Sequence, residues 1–216
     1  MIPLIRCGFG IGNRVTMIAN ALSRNESIQF VWRVNPILPL EHWEVFPNGI
    51  NGVEFVDSSL KGFSTRWERK VPGESWEGAG DREKANTAYS TIIEAMAGKE
   101  REGIDLAIVA RFWRFPEADP VELAELASRY GSQAFILADS RREEIATELN
   151  KRGMAAILPN GGEMSCDLDR SPESTLAYLS DWKTAIMAET VITHQADTSV
   201  IHPAKARGAR IIRSSI

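Results

Sequence analysis

The sequence is poor in the residues that mark metal and redox sites. It has two cysteines and three histidines in 216 residues. Cys7 and Cys166 lie far apart, with no C-x-x-C spacing. This argues against a disulfide framework and a zinc site, and a reducing cytoplasm is the expected compartment. The histidines show no helical H-x-x-x-H pair, so a metalloprotease pattern is missing. A Ser-His-Asp triad lacks its nucleophile elbow. No apolar run reaches about 18 residues, and no basic-then-apolar leader precedes the first strand, so no membrane insertion is expected. Charge of one sign is also missing. The 25 Lys and Arg against 29 Asp and Glu leave a net charge of -4 and a pI near 5.5. That balance argues against a general nucleic-acid or membrane-surface binder. There is no repeat of solenoid period and no long low-complexity segment.

What is present is a chain that is 44% apolar and able to bury a core. Its length suits one large domain or two lobes of about 100 residues each. An apolar run, Ile2 to Ile5, leads into Arg6-Cys7-Gly8-Phe9-Gly10-Ile11-Gly12-Asn13-Arg14, and a helical pattern, Val15 to Leu22, leaves it. Strand, glycine loop and helix in that order aim free N–H groups at the loop, which suits an anion. The glycines allow close backbone approach, and one of them is expected at positive φ. Arg14 adds a planar cation. The plainer reading is a tight turn. The loop is not a dinucleotide fingerprint, because Asn13 stands where its third glycine belongs, and no Gly-Lys-Ser/Thr makes it a Walker loop.

Strands are expected at 28–34, closed by Asn35-Pro36, and at 53–57, with a short helix over 41–46 between them. Residues 58–80 have no clear period. They carry Phe63, Trp67 and Trp76 among several charges, and read as a binding loop or lid, or as a plain excursion. A helix is expected from Asp81 to Arg101, ended by Gly103, with a lobe boundary between Gly98 and Gly103. Thereafter strands at 104–110, 133–138, 154–158, 190–193 and 209–212 alternate with helices at 120–129, 141–152, 171 onward and 200–207. Asp119 and Ser171 are the expected caps, and Leu176, Leu179 and Ile186 the buried stripe of the long helix. Such alternation implies a parallel sheet covered on both faces, with ligands beyond the carboxyl ends of its strands.

The residues at those ends are few. Arg111, Phe112, Trp113 and Arg114 follow one strand, Asp139-Ser140 the next, and His194, Gln195, Asp197, Thr198 and Ser199 another. Arg111 and Arg114 suit a diphosphate clamp or are surface cations. Asp139 suits a ribose or base edge, or caps the helix at 141. Thr198 and Ser199 cap a helix or bind phosphate through it.

The order of these landmarks resembles the fucosyltransferase-like glycosyltransferases, which use GDP-sugars and have the two-lobed GT-B architecture. Their amino-terminal G-G-x-G-N-R/Q pattern is similar to Gly10-Ile11-Gly12-Asn13-Arg14. Val31-Trp32-Arg33-Val34-Asn35 and Glu41-His42-Trp43-Glu44-Val45-Phe46 follow in the family's order. Val109-Ala110-Arg111 stands at the H-x-R strand end, with valine for the histidine. Phe135 to Ser140, Asp181, Val191-Ile192-Thr193 and Thr198-Ser199 complete the pattern.

The resemblance implies two Rossmann-like α/β lobes with parallel sheets and an active site in the crevice between them. Residues 1–100 form the acceptor side and 101–216 the donor side. It implies a glycosyltransferase that takes a sugar from a nucleotide-diphosphate sugar, GDP-sugar favoured. The acceptor is open: glycan, small molecule or nucleic acid. No metal or other cofactor is implied. Arg111 is the expected catalytic cation at the leaving diphosphate, and Arg14 the second catalytic residue. Asp139, Ser140, Thr198 and Ser199 are expected to bind the donor nucleotide. Gly10, Gly12, Asn13 and Asn35 are expected on the sugar and acceptor side. Two alternatives remain open. One is a non-catalytic nucleotide or sugar-phosphate binding module, and the other a transferase whose acceptor is a nucleic acid or another polymer.

Overall fold

A computed structural model describes residues 4–6, 10–57, 82–112, 115–161, 171–194 and 200–214. The irregular stretch with Phe63, Trp67 and Trp76 lies outside them, as do Asp81, Trp113, Arg114, Thr198 and Ser199. The chain divides into two compact units, Met1–Ala97 and Gly98–Ile216. Both are α/β, and among the described residues every strand pairing within their sheets is parallel.

In the first unit β1 (Leu4–Arg6), β2 (Ile28–Trp32) and β3 (Val53–Asp57) form a sheet in that order. Helix α1 (Ile11–Leu22) follows β1, α2 (His42–Val45) lies between β2 and β3, and α3 (Arg82–Ala95) packs against α1. The face of α1 turned to the core carries Ile11, Val15 and Ile18, at i, i+4 and i+7. Glu41 and Glu44 close a capping box on α2, a device that satisfies the first N–H groups of a very short helix. Helix α3 stops at Ala95, well short of Arg101. Gly98, at φ +89°, follows the helix end, and Gly103, at φ +75°, sits in a later turn.

The second unit has β4 (Leu106–Ala110), α4 (Pro120–Ala127), β5 (Gln133–Ala138), α5 (Arg142–Lys151), β6 (Ala155–Ile157), α6 (Pro172–Met187), β7 (Thr190–Thr193), α7 (Ile201–Ala206) and β8 (Arg210–Arg213). The sheet order is β6-β5-β4-β7-β8. The chain therefore runs outward from β4 to β6, then returns to β4's other side for β7. The reversal puts a topological switch point between β4 and β7, where open α/β sheets bind ligands. Strand β4 is buried along its whole length, as a central parallel strand should be. Alternate strand residues, among them Ile108, Ala110, Ile136, Ala138 and Ile192, form one core with Leu123, Ala124 and Ala127 of α4 and Ile145 and Leu149 of α5. Helix α6 packs on β4 and β5, outside that core.

Asp119 caps α4 by accepting from Val121 N–H at 2.9 Å, and Ser171 caps α6 by accepting from Ser174 N–H at 3.1 Å. The stripe of α6 differs from the apolar pattern. Leu176 is 38% exposed, while Thr175, Asp181 and Thr184 are buried beside Leu179, Trp182 and Ile186. The threonines can be buried because their hydroxyls bond back to carbonyls four residues earlier, Ser171 O at 2.9 Å and Ser180 O at 2.8 Å.

Candidate functional site

Three strand ends meet at the switch point. Past β4, Arg111 is half-buried and Phe112 buried, and the Arg111 carbonyl accepts from Phe115 N–H at 3.1 Å. Phe112 lies in a turn. Asp139, the first residue past β5, holds that turn. Its Oδ1 accepts from Phe112 N–H at 2.8 Å and from the Ser140 hydroxyl at 3.4 Å. Asp139 is buried, so this bond stands where water cannot replace it. Its own N–H reaches Ala110 O at 3.4 Å. Asp139 does not cap α5; Arg141 occupies that cap position, with no side-chain cap bond.

Arg141 has φ 56° and ψ 24°, the one non-glycine residue at positive φ among the described residues. Left-handed backbone in a residue with a long side chain is strained, and strain of this kind gathers at ligand sites. Its guanidinium over-determines the conformation. Nε and Nη2 donate to the two Glu144 oxygens at 3.0 and 2.8 Å, and Nη1 donates to Ala118 O at 3.1 Å. The same group lies 5.0 Å from the centre of the Phe112 ring. The hydrogen bonds from Arg141, and then its charge, hold the Glu144 carboxyl below the usual carboxylate range. Arg141 thus ties the loop ahead of α4 to the start of α5.

Past β7 comes His194, 4% exposed. Its ring lies 5.8 Å from Phe112 and 5.6 Å from Phe115, between centroids. Burial pushes the imidazole below its usual pKa. The Arg111 carbonyl, Asp139 and Glu117 pull the other way and lose. The carbonyl is near enough to act on the ring but completes no hydrogen bond with it.

A further carboxylate braces the loop after β6. Asp181 of α6 accepts from Gly161 N–H at 2.7 Å and Asn160 N–H at 3.1 Å, and meets Arg101 at 3.5 Å. A side chain at Gly161 would start 3.2 Å from Asp181 Oδ2, so the clamp itself calls for glycine.

In the first unit the expected site residues have structural partners. Gly10 is the N-cap of α1 at φ -65°, so it has no positive φ; its constraint is space, with Ile37 Cγ2 only 3.3 Å from where a Cβ would sit. Gly12 and Asn13 lie inside α1. Arg14 is fully buried. Its guanidinium stacks 4.3 Å above the Trp32 ring, and Nη2 donates to Arg33 O at 2.6 Å. Asn35 closes a turn, its Oδ1 accepting from Ile37 and Leu38 N–H, each at 2.9 Å.

The switch point therefore gathers Arg111, Asp139 and Ser140 from the expected set. It adds Phe112, Phe115, Arg141 and His194. The position of His194 after an apolar strand was a readable signal; Phe115 and Arg141 gave none. Among the described residues no group of three or more His, Cys, Asp or Glu is placed to hold a metal ion. No described helix is long and apolar enough to cross a membrane.

No protein-family model matches the sequence, and no curated protein matches it. Solved structures do. The chain is similar to the NodZ α-1,6-fucosyltransferase soaked with GDP-fucose, at TM-score 0.60 and 15% identity, over 98% of this chain and 94% of that one. The same enzyme co-crystallized with GDP matches at TM-score 0.60 and 15% identity, over 99% and 94%. Fucosyltransferase NodZ from Bradyrhizobium matches at 0.58 and 14%, over 94% and 92%. The protein has the α/β fold of these fucosyltransferases, with parallel sheets among the described residues.

Proposed function

We propose that the protein is a fucosyltransferase-like glycosyltransferase of GT-B type. It takes its donor from a nucleotide-diphosphate sugar, GDP-sugar favoured, and needs no metal. The observation that carries this reading is the fold shared almost end to end with an enzyme solved with GDP and GDP-fucose. The switch-point arrangement of Arg111, Asp139 and His194 supports it.

In the reaction, the bond from the sugar's anomeric carbon to the diphosphate oxygen breaks. A bond from that carbon to an acceptor oxygen forms, and the acceptor's proton leaves to a base. Negative charge grows on the departing diphosphate. A cation already fixed beside it stabilises the transition state more than the ground state. Arg111 is the residue proposed for this task. It stands directly after the central strand, and its backbone is fixed by the Phe115 turn. Thr198 and Ser199 are proposed as further phosphate donors, and Asp139 with Ser140 as the shape of the nucleoside edge. The proposed compartment is the cytoplasm.

Calorimetry with GDP, UDP, GDP-fucose and GDP-mannose, followed by an assay for released nucleoside diphosphate with EDTA present, tests the reading. Binding of GDP species above UDP, with turnover in EDTA, is expected. No binding of any nucleotide sugar or diphosphate would overturn it. The non-catalytic alternative keeps GDP binding and shows no turnover with any acceptor.

A further inference from the structure

Neither Nδ1 nor Nε2 of His194 completes a hydrogen bond with a described residue, although the ring is buried and the Arg111 carbonyl lies near it. Leaving a buried polar group unpaired costs free energy, so such a group calls for an explanation. The ring is not there by loose packing. Phe112 and Phe115 hold it, and both are fixed in turn: Phe112 by the Asp139 bond and the Arg141 guanidinium, Phe115 by the Arg111 carbonyl. Burial keeps the imidazole neutral near pH 7, which leaves it one N–H donor and one lone pair.

Its place is also specific. Val109 pairs with Thr193, so His194 comes level with Ala110, one residue on. Successive residues alternate between faces, and the Phe112 contact puts the imidazole on the side of the sheet away from Val109. His194 is therefore not a relocated copy of the H-x-R histidine that Val109 replaces.

We propose that His194 is a ligand-binding residue of the switch-point site, its ring N–H donating to an oxygen of the diphosphate of a bound nucleotide sugar. This rests on the nucleotide-sugar reading above. The ligand would supply an acceptor where the described residues complete no bond to the ring. Because the ring is already desolvated and fixed in the folded chain, little is lost in ordering it when the bond forms. The bond would strengthen as charge builds on the leaving group.

The chain has only three histidines, His42, His194 and His202, so their ring nitrogens can be resolved by 15N-histidine labelling. His194→Gln assigns the third set by its loss. On adding GDP, and separately inorganic pyrophosphate, the His194 ring resonances are expected to shift while those of His42 and His202 stay. His194→Phe, which keeps a flat ring without the donor, should weaken GDP binding about tenfold or more, the scale of one lost hydrogen bond to a charged group. His194→Gln, which restores an N–H, should recover part of it. Should the phenylalanine variant fail to melt cooperatively, the wild-type ring shifts and the glutamine variant decide. GDP binding to wild type with unmoved His194 nitrogens and equal affinity in His194→Phe would overturn this inference and leave the nucleotide reading standing. A wild-type protein that binds neither GDP, pyrophosphate nor any nucleotide sugar would remove both.

Discussion

Asp139→Ala is the most informative single change at the strand ends. The wild-type carboxylate is buried and accepts from Phe112 N–H at 2.8 Å. Truncation leaves that backbone donor without its acceptor in a place shut off from water. A hydrogen bond to a charged group contributes about 1.5–3 kcal/mol, and an orphaned buried donor costs a similar amount. For a chain of this length each kcal/mol moves the melting point by about 3 °C, so a fall of roughly 5–9 °C is expected by scanning calorimetry. Asp139→Asn keeps a carbonyl that can face Phe112 N–H and should lose about half as much. Calorimetric titration with GDP separates two roles. If Asp139 acts by holding the turn, the asparagine variant binds GDP nearly as wild type does. If it also touches the nucleoside directly, affinity falls in the asparagine variant by more than its loss of stability accounts for. An alanine variant that melts within about 1 °C of wild type would refute the turn-holding account.

In the first unit, Gly52→Ala should destabilise by about 1–3 kcal/mol on urea denaturation, because φ is +79° and the new Cβ would sit 2.8 Å from the Glu26 carbonyl oxygen. Arg14→Ala should cost at least about 2 kcal/mol, the scale of a desolvated cation–π contact, because the guanidinium is buried over Trp32; an unchanged melting point would show that Arg14 is not a core residue. Stability should also depend on His194. Its folded pKa lies below the ordinary 6.5, so the unfolded chain takes up the proton first as pH falls, and the folded state loses stability from about pH 6.5 downward, until the folded imidazole titrates as well. Urea midpoints compared between pH 7.5 and 5.5 should fall more in wild type than in His194→Phe, and equal falls would contradict the buried neutral ring.

Strand β5 was legible because a parallel strand buried on both faces reads as an apolar run, and Gln133–Ala138 falls where that pattern puts it; the half-exposed edge strand Val53–Asp57 was legible from its β-branched and aromatic residues alone. Caps were equally legible at Asp119 and Ser171, where a short polar side chain precedes proline. The stripe of α6 was not, since Thr175, Asp181 and Thr184 are buried through hydrogen bonds that hydropathy does not count. Arg14 illustrates the limit for sites. An arginine after a glycine loop has the same letters whether it meets a phosphate or the face of Trp32, and only coordinates place the ring beneath it. The case of His194 turns on strand order. Nothing in the residue pattern says that β7 lies beside β4, and that adjacency brings the histidine to Phe112 and Phe115.

The most direct test of the central claim, that the carboxyl ends of β4, β5 and β7 receive a nucleoside diphosphate, is a crystal structure of the protein soaked with GDP. The account predicts diphosphate density within hydrogen-bond reach of the Arg111 side chain and the His194 ring. GDP bound elsewhere, for instance at the Gly10 end of α1 alone, or a soaked crystal without GDP under conditions where calorimetry detects binding to neither GDP nor GDP-fucose, would contradict it.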